Sequence, residues 1–256
     1  LIDLDPGLDC TAAAGQIAAQ VLAPDPEDQM HFAPEGRLVP RLQPVAELPG
    51  AAFQADARGV YLITGGLGAL GRQTAVWLVN KGARRLVLTS RGGEASPQAR
   101  ELVQLLQDKG ARVEVRAADA ADKDQAEALM LDLLAREEPL KGIFHLAGRD
   151  EPRELSGLQP EDIRRVTAPK VQGAWHLHRL SAEAPLDCFV CFSSMAAVLG
   201  AEGRAHYSAA NAFLDALVQQ RRAAGLPGLV INWGPWSGGG MAGEEDLQRY
   251  SRIGNH

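Results

Sequence analysis

From residue 59 onward the hydrophobic positions alternate between two patterns: short continuous apolar runs, and longer stretches whose apolar residues recur every three or four positions. The first run, Gly59–Thr64, carries no charge, as a strand covered on both faces requires, and the helix after it is predicted over Arg72–Lys81. Arg85–Thr89 is the second predicted strand. Pro97–Lys109 reads as a helix, with Leu102, Leu105 and Leu106 at i, i+3 and i+4. A third strand is predicted over Arg112–Ala117, and Ala126, Leu129, Met130, Leu133 and Leu134 mark the buried stripe of the next helix. Lys141–Leu146, Leu186–Ser193 and Leu229–Trp233 complete six strands, separated by helices near Glu161–Leu180 and Tyr207–Ala224. Strands alternating with helices of this length form βαβ units, which assemble a parallel sheet with helices on both faces. The fold class predicted is therefore α/β, a doubly wound parallel sheet.

Residues 1 to about 58 follow neither pattern. They are punctuated by prolines (Pro6, Pro24, Pro26, Pro34, Pro40, Pro44 and Pro49) and hold one helix-like and two short strand-like stretches, too little to enclose a core alone. The stretch Gln43–Arg58, with Pro44, Pro49 and Gly50, marks the boundary. The division expected is a segment 1–48, a linker 49–58 and a main domain 59–256.

Composition narrows the function classes. The chain has 256 residues, 46% of them apolar, and a formal net charge of −6. With no run of five or six Lys/Arg, clustered cations for a phosphate backbone are missing, which argues against nucleic-acid binding. No apolar run reaches the length of a membrane span, and the start Leu1-Ile2-Asp3 lacks a basic leader, so a cytoplasmic protein without a membrane partner is expected. Three cysteines fit a reducing compartment. Cys188 and Cys191 have a zinc-like spacing but lie inside an apolar run with no second Cys/His pair, so they are expected to pack in a buried strand and no metal site is assigned.

Candidate chemistry begins after the first strand, in Thr64-Gly65-Gly66-Leu67-Gly68-Ala69-Leu70-Gly71. Gly66, Gly68 and Gly71 form a G-x-G-x-x-G pattern between a strand and a helix, where glycines allow a tight turn, backbone approach to a pyrophosphate and close helix packing. This makes the predicted sheet Rossmann-like; the competing reading is a structural glycine turn. The second strand ends in Thr89-Ser90-Arg91 with no acid, and a cation there accepts the 2′-phosphate of NADP, so NADPH is the cofactor expected. Arg91 as a solvated surface arginine is the alternative. Asp119 and Ala120, after the third strand, are placed to meet adenine, and Ala147 and Gly148, after the fourth, to lie close to the nicotinamide ribose.

Later strand ends hold a second group. Ser193-Ser194 ends the fifth strand, Tyr207 and Asn211 share one helix face, and Lys170 lies on the preceding long helix. Tyr207-Ser-Ala-Ala-Asn211-Ala-Phe-Leu-Asp-Ala-Leu217, with the glycine loop and Ala168-Pro-Lys170-Val-Gln-Gly-Ala-Trp175, resembles the ketoreductase domain of modular polyketide synthases, a branch of the short-chain dehydrogenase/reductases. The likeness runs from about Gly59 to the end of the chain. Ordinary members of that superfamily place a lysine four residues after the tyrosine; here that position is Asn211 and the lysine is upstream, as in polyketide and animal fatty acid synthase ketoreductases. Ser194, 13 residues before Tyr207 and 24 after Lys170, matches the family spacing better than Ser193.

The resemblance implies NADPH-dependent, stereospecific reduction of a β-keto group on a thioester carried by an acyl carrier protein, beside other domains of the same synthase. It implies Tyr207 as proton donor, Lys170 lowering its pKa and holding the nicotinamide ribose, Ser194 positioning the carbonyl and Asn211 organising the proton relay. Gly234 and Pro235 would wall the nicotinamide, and Ser237–Met241 begins a segment like the family's mobile lid, with Leu199, Trp236 and Met241 toward the substrate; a disordered loop is the alternative for the lid. Two fingerprints depart. Asp150, Glu151 and Pro152 stand where D-producing relatives carry Leu-Asp-Asp, and Leu199 stands where L-producing relatives carry tryptophan. Absence of the first inclines the expectation to the L-hydroxy product. The alternative function is a non-reducing scaffold or an epimerase within a megasynthase. Residues 1–48 resemble the last part of the family's truncated, cofactor-free Rossmann-like half, and the family continues past Gly254-Asn255-His256 into a further helix and strand, so an incomplete span of a module is expected.

Overall fold

The structure, a computed structural model, describes residues 1–45, 52–93 and 97–236. The chain divides into two compact units, Leu1–Ala52 and Phe53–His256. The first contains β1 (Ile2–Leu4), α1 (Cys10–Leu22), β2 (Met30–Ala33) and β3 (Gly36–Leu38) in a sheet of order β1-β2-β3. β1 runs parallel to β2, and β2 antiparallel to β3. Asp9 caps α1, its carboxylate accepting from the N–H groups of Thr11 and Ala12 at 3.0 Å each. This unit has three strands where two were expected. The three-residue β1 shows no hydrophobic run, and its strand character comes from pairing with residues 30–32.

The second unit is built on six strands: β4 (Val60–Thr64), β5 (Arg85–Ser90), β6 (Arg112–Ala117), β7 (Leu140–His145), β8 (Cys188–Ser194) and β9 (Leu229–Trp233). All pair in parallel, in the order β6-β5-β4-β7-β8-β9. The helices between them are α2 (Ala69–Asn80), α3 (Pro97–Asp108), α4 (Lys123–Leu134), α5 (Pro160–Leu180), the single-turn α6 (Ala196–Leu199) and α7 (Ala205–Ala223).

Alternation along β4 explains the two layers. Val60 and Leu62 enter a core with Leu129, Met130 and Leu133 of α4, Ala174 and Leu177 of α5, and Leu214 and Leu217 of α7. Tyr61 and Ile63 enter the opposite core, with Ala75 and Leu78 of α2 and Leu102 and Leu106 of α3. Each fully buried large aliphatic side chain contributes roughly 1.5–3 kcal/mol, so a charge-free central strand is the pattern that both layers demand. Cys191 and Cys188, three apart on β8, fall on opposite faces, Cys191 in the first core and Cys188 against the second. Burial pushes both thiols up to about 12. Among the described residues no helix is long and apolar enough to cross a membrane.

Two helix starts differ from expectation. α2 begins at Ala69, inside the glycine motif, and not at Arg72, and α7 begins at Ala205, two residues before Tyr207. α5 opens with Pro160 at its first turn and a capping box between Gln159 and Asp162.

Candidate active site

The strand order reverses between β4 and β7, the position at which open α/β sheets leave a crevice at their carboxyl ends. A cavity of about 450 Å³ lies there. The first βα turn contributes Thr64, Gly65, Gly68, Leu70 and Gly71 to its wall; Ser90 and Arg91 come from the end of β5, Asp119 and Ala120 follow β6, and Ala147 and Gly148 follow β7. Arg149 and Pro169 also line it, though sequence reasoning had not singled them out.

The glycines are there for distinct reasons. Gly65 has φ +69°, and a Cβ on it would lie 2.9 Å from the Ala147 nitrogen. A Cβ on Gly71 would lie 2.4 Å from the Gly65 carbonyl oxygen, so the loop closes onto the first turn of α2. Gly66 faces the sheet instead: a Cβ there would meet the Leu88 side chain at 2.9 Å. Gly68 caps α2 with no side-chain hydrogen bond, which leaves the amides of the first turn open toward an anion. These residues fit the pyrophosphate of a dinucleotide.

A buried chain of hydrogen bonds ties this loop to the next candidate. His145, at the end of β7, meets the Thr64 hydroxyl through Nδ1 at 2.7 Å and the Pro169 carbonyl through Nε2 at 3.0 Å. A carbonyl only accepts, so Nε2 carries the proton and Nδ1 accepts from Thr64. Burial drives the His145 pKa down to about 3, keeping the ring neutral.

Lys170 follows Pro169 on α5 and is buried, 3% exposed. Its ammonium donates to the Phe192 carbonyl at 2.8 Å and lies 5.8 Å from the centroid of the Tyr207 ring, within cation–π range. Burial pushes its pKa down to about 8. Asn211 is fully buried one turn beyond Tyr207; its Nδ2 donates to the Tyr207 carbonyl at 2.8 Å, and its Oδ1 has no partner. The two serines separate in role. Ser193 is buried and donates to the Asn211 carbonyl at 3.2 Å, whereas the Ser194 oxygen accepts from the Ala196 N–H at 3.2 Å. Asn232 steadies the end of β8 by donating to Ser193 Oγ at 3.2 Å and the Ser194 carbonyl at 3.3 Å.

Gly234 and Pro235 are exposed after β9, and Trp236 sits edge-on to Trp233 at 5.1 Å between ring centroids. Leu199 ends α6, 57% exposed. Met241 and the lid lie outside the described residues.

A family model described as "KR domain" matches residues 59–238. The chain belongs to the KR domain family. Spectinabilin polyketide synthase system protein NorA from Streptomyces orinoci is 44% identical over 240 residues, covering 93% of this chain and 12% of that protein. The structure titled "Structure of A-type Ketoreductases from Modular Polyketide Synthase" superposes with a TM-score of 0.88 at 39% identity, over 98% of this chain and 53% of that one. The first ketoreductase of the tylosin synthase matches with a TM-score of 0.84 at 42% identity, over 97% and 54%. The KR domain described here thus spans about half of those solved chains and a small part of NorA. Its sheet is the Rossmann-like sheet of polyketide synthase ketoreductases.

Proposed function

We propose that this KR domain carries out the stereospecific, NADPH-dependent reduction of the β-keto group of a polyketide intermediate on an acyl carrier protein, giving a β-hydroxyacyl thioester. The observation that carries this reading is the buried Lys170 ammonium held 5.8 Å from the Tyr207 ring, one residue from the wall of a cleft suited to a dinucleotide. NADPH, when bound, supplies the hydride. As negative charge develops on the ketone oxygen, Tyr207 gives it a proton. A free tyrosine titrates near 10, and a neighbouring ammonium favours its phenolate; a shift of about three units is worth roughly 4 kcal/mol between the two protonation states. Ser194 has already accepted the Ala196 N–H, so its own hydroxyl proton is available to the substrate carbonyl. The unpartnered Oδ1 of Asn211 supplies an acceptor that can orient the donor from which Tyr207 is reprotonated.

Around this centre, the amides of Gly65 to Gly71 would hold the pyrophosphate, with Thr64 and Leu70 shaping the turn. Arg91, beside Ser90, would hold the 2′-phosphate, Asp119 and Ala120 the adenine, and Ala147, Gly148 and Lys170 the nicotinamide ribose. Gly234 and Pro235 would wall the nicotinamide, and Leu199 and Trp236 would border the acyl chain. Asp150-Glu151-Pro152 in place of Leu-Asp-Asp supports the L-hydroxy product. The relatives being polyketide synthase proteins supports neighbouring synthase domains as partners, and a cytoplasmic location is proposed beside them.

The test is consumption of NADPH by the chain with a β-ketoacyl N-acetylcysteamine thioester, the alcohol being assigned by chiral chromatography. Turnover to the L alcohol is expected, and Tyr207→Phe should lower kcat by at least about 100-fold. If neither this thioester nor a carrier-bound ketone is reduced, the non-reducing scaffold or epimerase reading replaces it. A Tyr207→Phe variant as fast as the parent removes the assignment of the acid.

A further inference from the structure

The helix that bears Tyr207 has a start that its own sequence specifies poorly. Arg204 is the N-cap of α7 and makes no side-chain capping bond, and the first turn holds no acid. Arginine offers no acceptor to the free amides, and a cation at a helix N-terminus opposes the macrodipole. What fixes the start comes from a segment about fifty residues earlier in the chain. Asp150 Oδ2 lies 2.8 Å from Arg204 Nε, with the two side chains only 9% and 8% exposed. The neighbouring Glu151 carbonyl accepts from His206 Nε2 at 3.0 Å, and the Arg153 N–H donates to the Gly203 carbonyl at 2.7 Å.

Three links therefore join residues 150–153 to residues 203–206, which end one residue before Tyr207. The donor segment is itself anchored. Glu151 pairs with Arg149 at 2.9 Å and with Arg165 of α5 at 3.2 Å, and Arg153 pairs at 3.1 Å with Asp162, the buried capping residue of α5. Oδ1 of Asp150 is buried without a hydrogen-bond partner, so this carboxylate depends on Arg204 for compensation.

We propose that Asp150 and Arg204 are positioning residues: their buried ion pair acts as a tertiary cap on α7 and sets where Tyr207 stands. Tyr207 is the third residue of the helix, so fraying of the first turn displaces it directly. Misplacing a reacting group by about 1 Å can cost roughly 100-fold in rate. The inference deepens the assignment of Tyr207 as the acid, but one of its two readouts is independent of that assignment.

The experiment compares the parent chain with Asp150→Asn, Arg204→Gln and the double variant. Amide hydrogen exchange at residues 208–211, whose N–H groups bond the carbonyls of the first turn, should quicken by about tenfold or more in each single variant, with residues 214–222 unchanged. For ketone reduction, kcat should fall by roughly 10- to 100-fold while KM and NADPH affinity, read by cofactor fluorescence, stay within about twofold. The double variant should be no slower than the slower single variant, because the partners act as one unit. Should a single variant fail to fold, Arg204→Lys carries the test: a retained charge with imperfect geometry should give intermediate exchange and intermediate kcat. First-turn exchange and kcat both within about twofold of the parent in a folded single variant or in Arg204→Lys, or single effects that simply multiply in the double, overturn the proposal. If the parent reduces no ketone, the proposed function fails separately, and the exchange data alone decide the cap.

Discussion

Lys170 stores part of the stability of the fold as a function of pH. In the unfolded chain its ammonium holds its proton up to about 10.5, whereas in the folded protein burial lowers that value to about 8. Between the two, the unfolded state binds more protons, so stability rises with pH across that window, and the burial penalty is present in full below it. At roughly 1.4 kcal/mol per unit the penalty is on the order of 3.5 kcal/mol. Unfolding by urea, measured from pH 8 to 10.5, should show the parent gaining on an inactive Lys170→Met variant by about that amount. The Phe192 carbonyl loses its donor in the variant, costing about 1–3 kcal/mol at every pH, so the slope is the diagnostic and not the offset. A pH-independent difference would mean that the lysine is not buried as a cation. The burial of this lysine is thus a cost that the rest of the molecule must offset.

At the level of elements, the phosphate loop makes the sharpest demand. Gly71→Ala would set a methyl carbon 2.4 Å from the Gly65 carbonyl oxygen, backbone against backbone, so cofactor affinity measured by titration should fall by about tenfold or more. Gly157→Ala, where nothing lies within 4 Å, is the matched control and should bind as the parent does. The strands and helices of the second unit were legible in sequence because β4 is charge-free and α3 and α4 carry apolar stripes. Leu105 and Leu134, read into those stripes, are nonetheless 43% and 42% exposed, each lying at the edge of the face that Leu102 and Leu106 or Leu129 and Leu133 bury. The start of α2 was not, since Ala69-Leu70-Gly71 holds a glycine that local propensity discounts, while the close approach to Gly65 requires it inside the helix. Ser194, Lys170, Tyr207 and Asn211 were marked by resemblance to the family, and the fold sets the Lys170 ammonium 5.8 Å from the Tyr207 ring with Asn211 bonded to the Tyr207 carbonyl. The Asp150–Arg204 pair was not legible, because a contact spanning 54 residues leaves no local pattern. The same is true of β1, whose strand character is tertiary.

For the whole molecule, a cleft shared among the ends of four strands couples cofactor binding to global stability. NADP⁺ at about 100 times its Kd should stabilise the chain by roughly 2.7 kcal/mol. For a protein of this size that is a rise in Tm of several degrees. NAD⁺ at the same concentration should give a smaller rise, and Arg91→Ala should bring the NADP⁺ shift down to the NAD⁺ level. Equal shifts in the parent would remove Arg91 from the 2′-phosphate site. The Thr64–His145–Pro169 chain adds a constraint of another kind. With one nitrogen donating, the other accepting, and a pKa near 3, the imidazole is locked in a single tautomer. It joins the strand end to the lysine-bearing helix as a mechanical strut but cannot serve as a proton wire. On the proposed assignment of Tyr207 as the acid, its proton is not replenished through this imidazole, which leaves that stretch of the sheet interior electrically silent while the reaction proceeds.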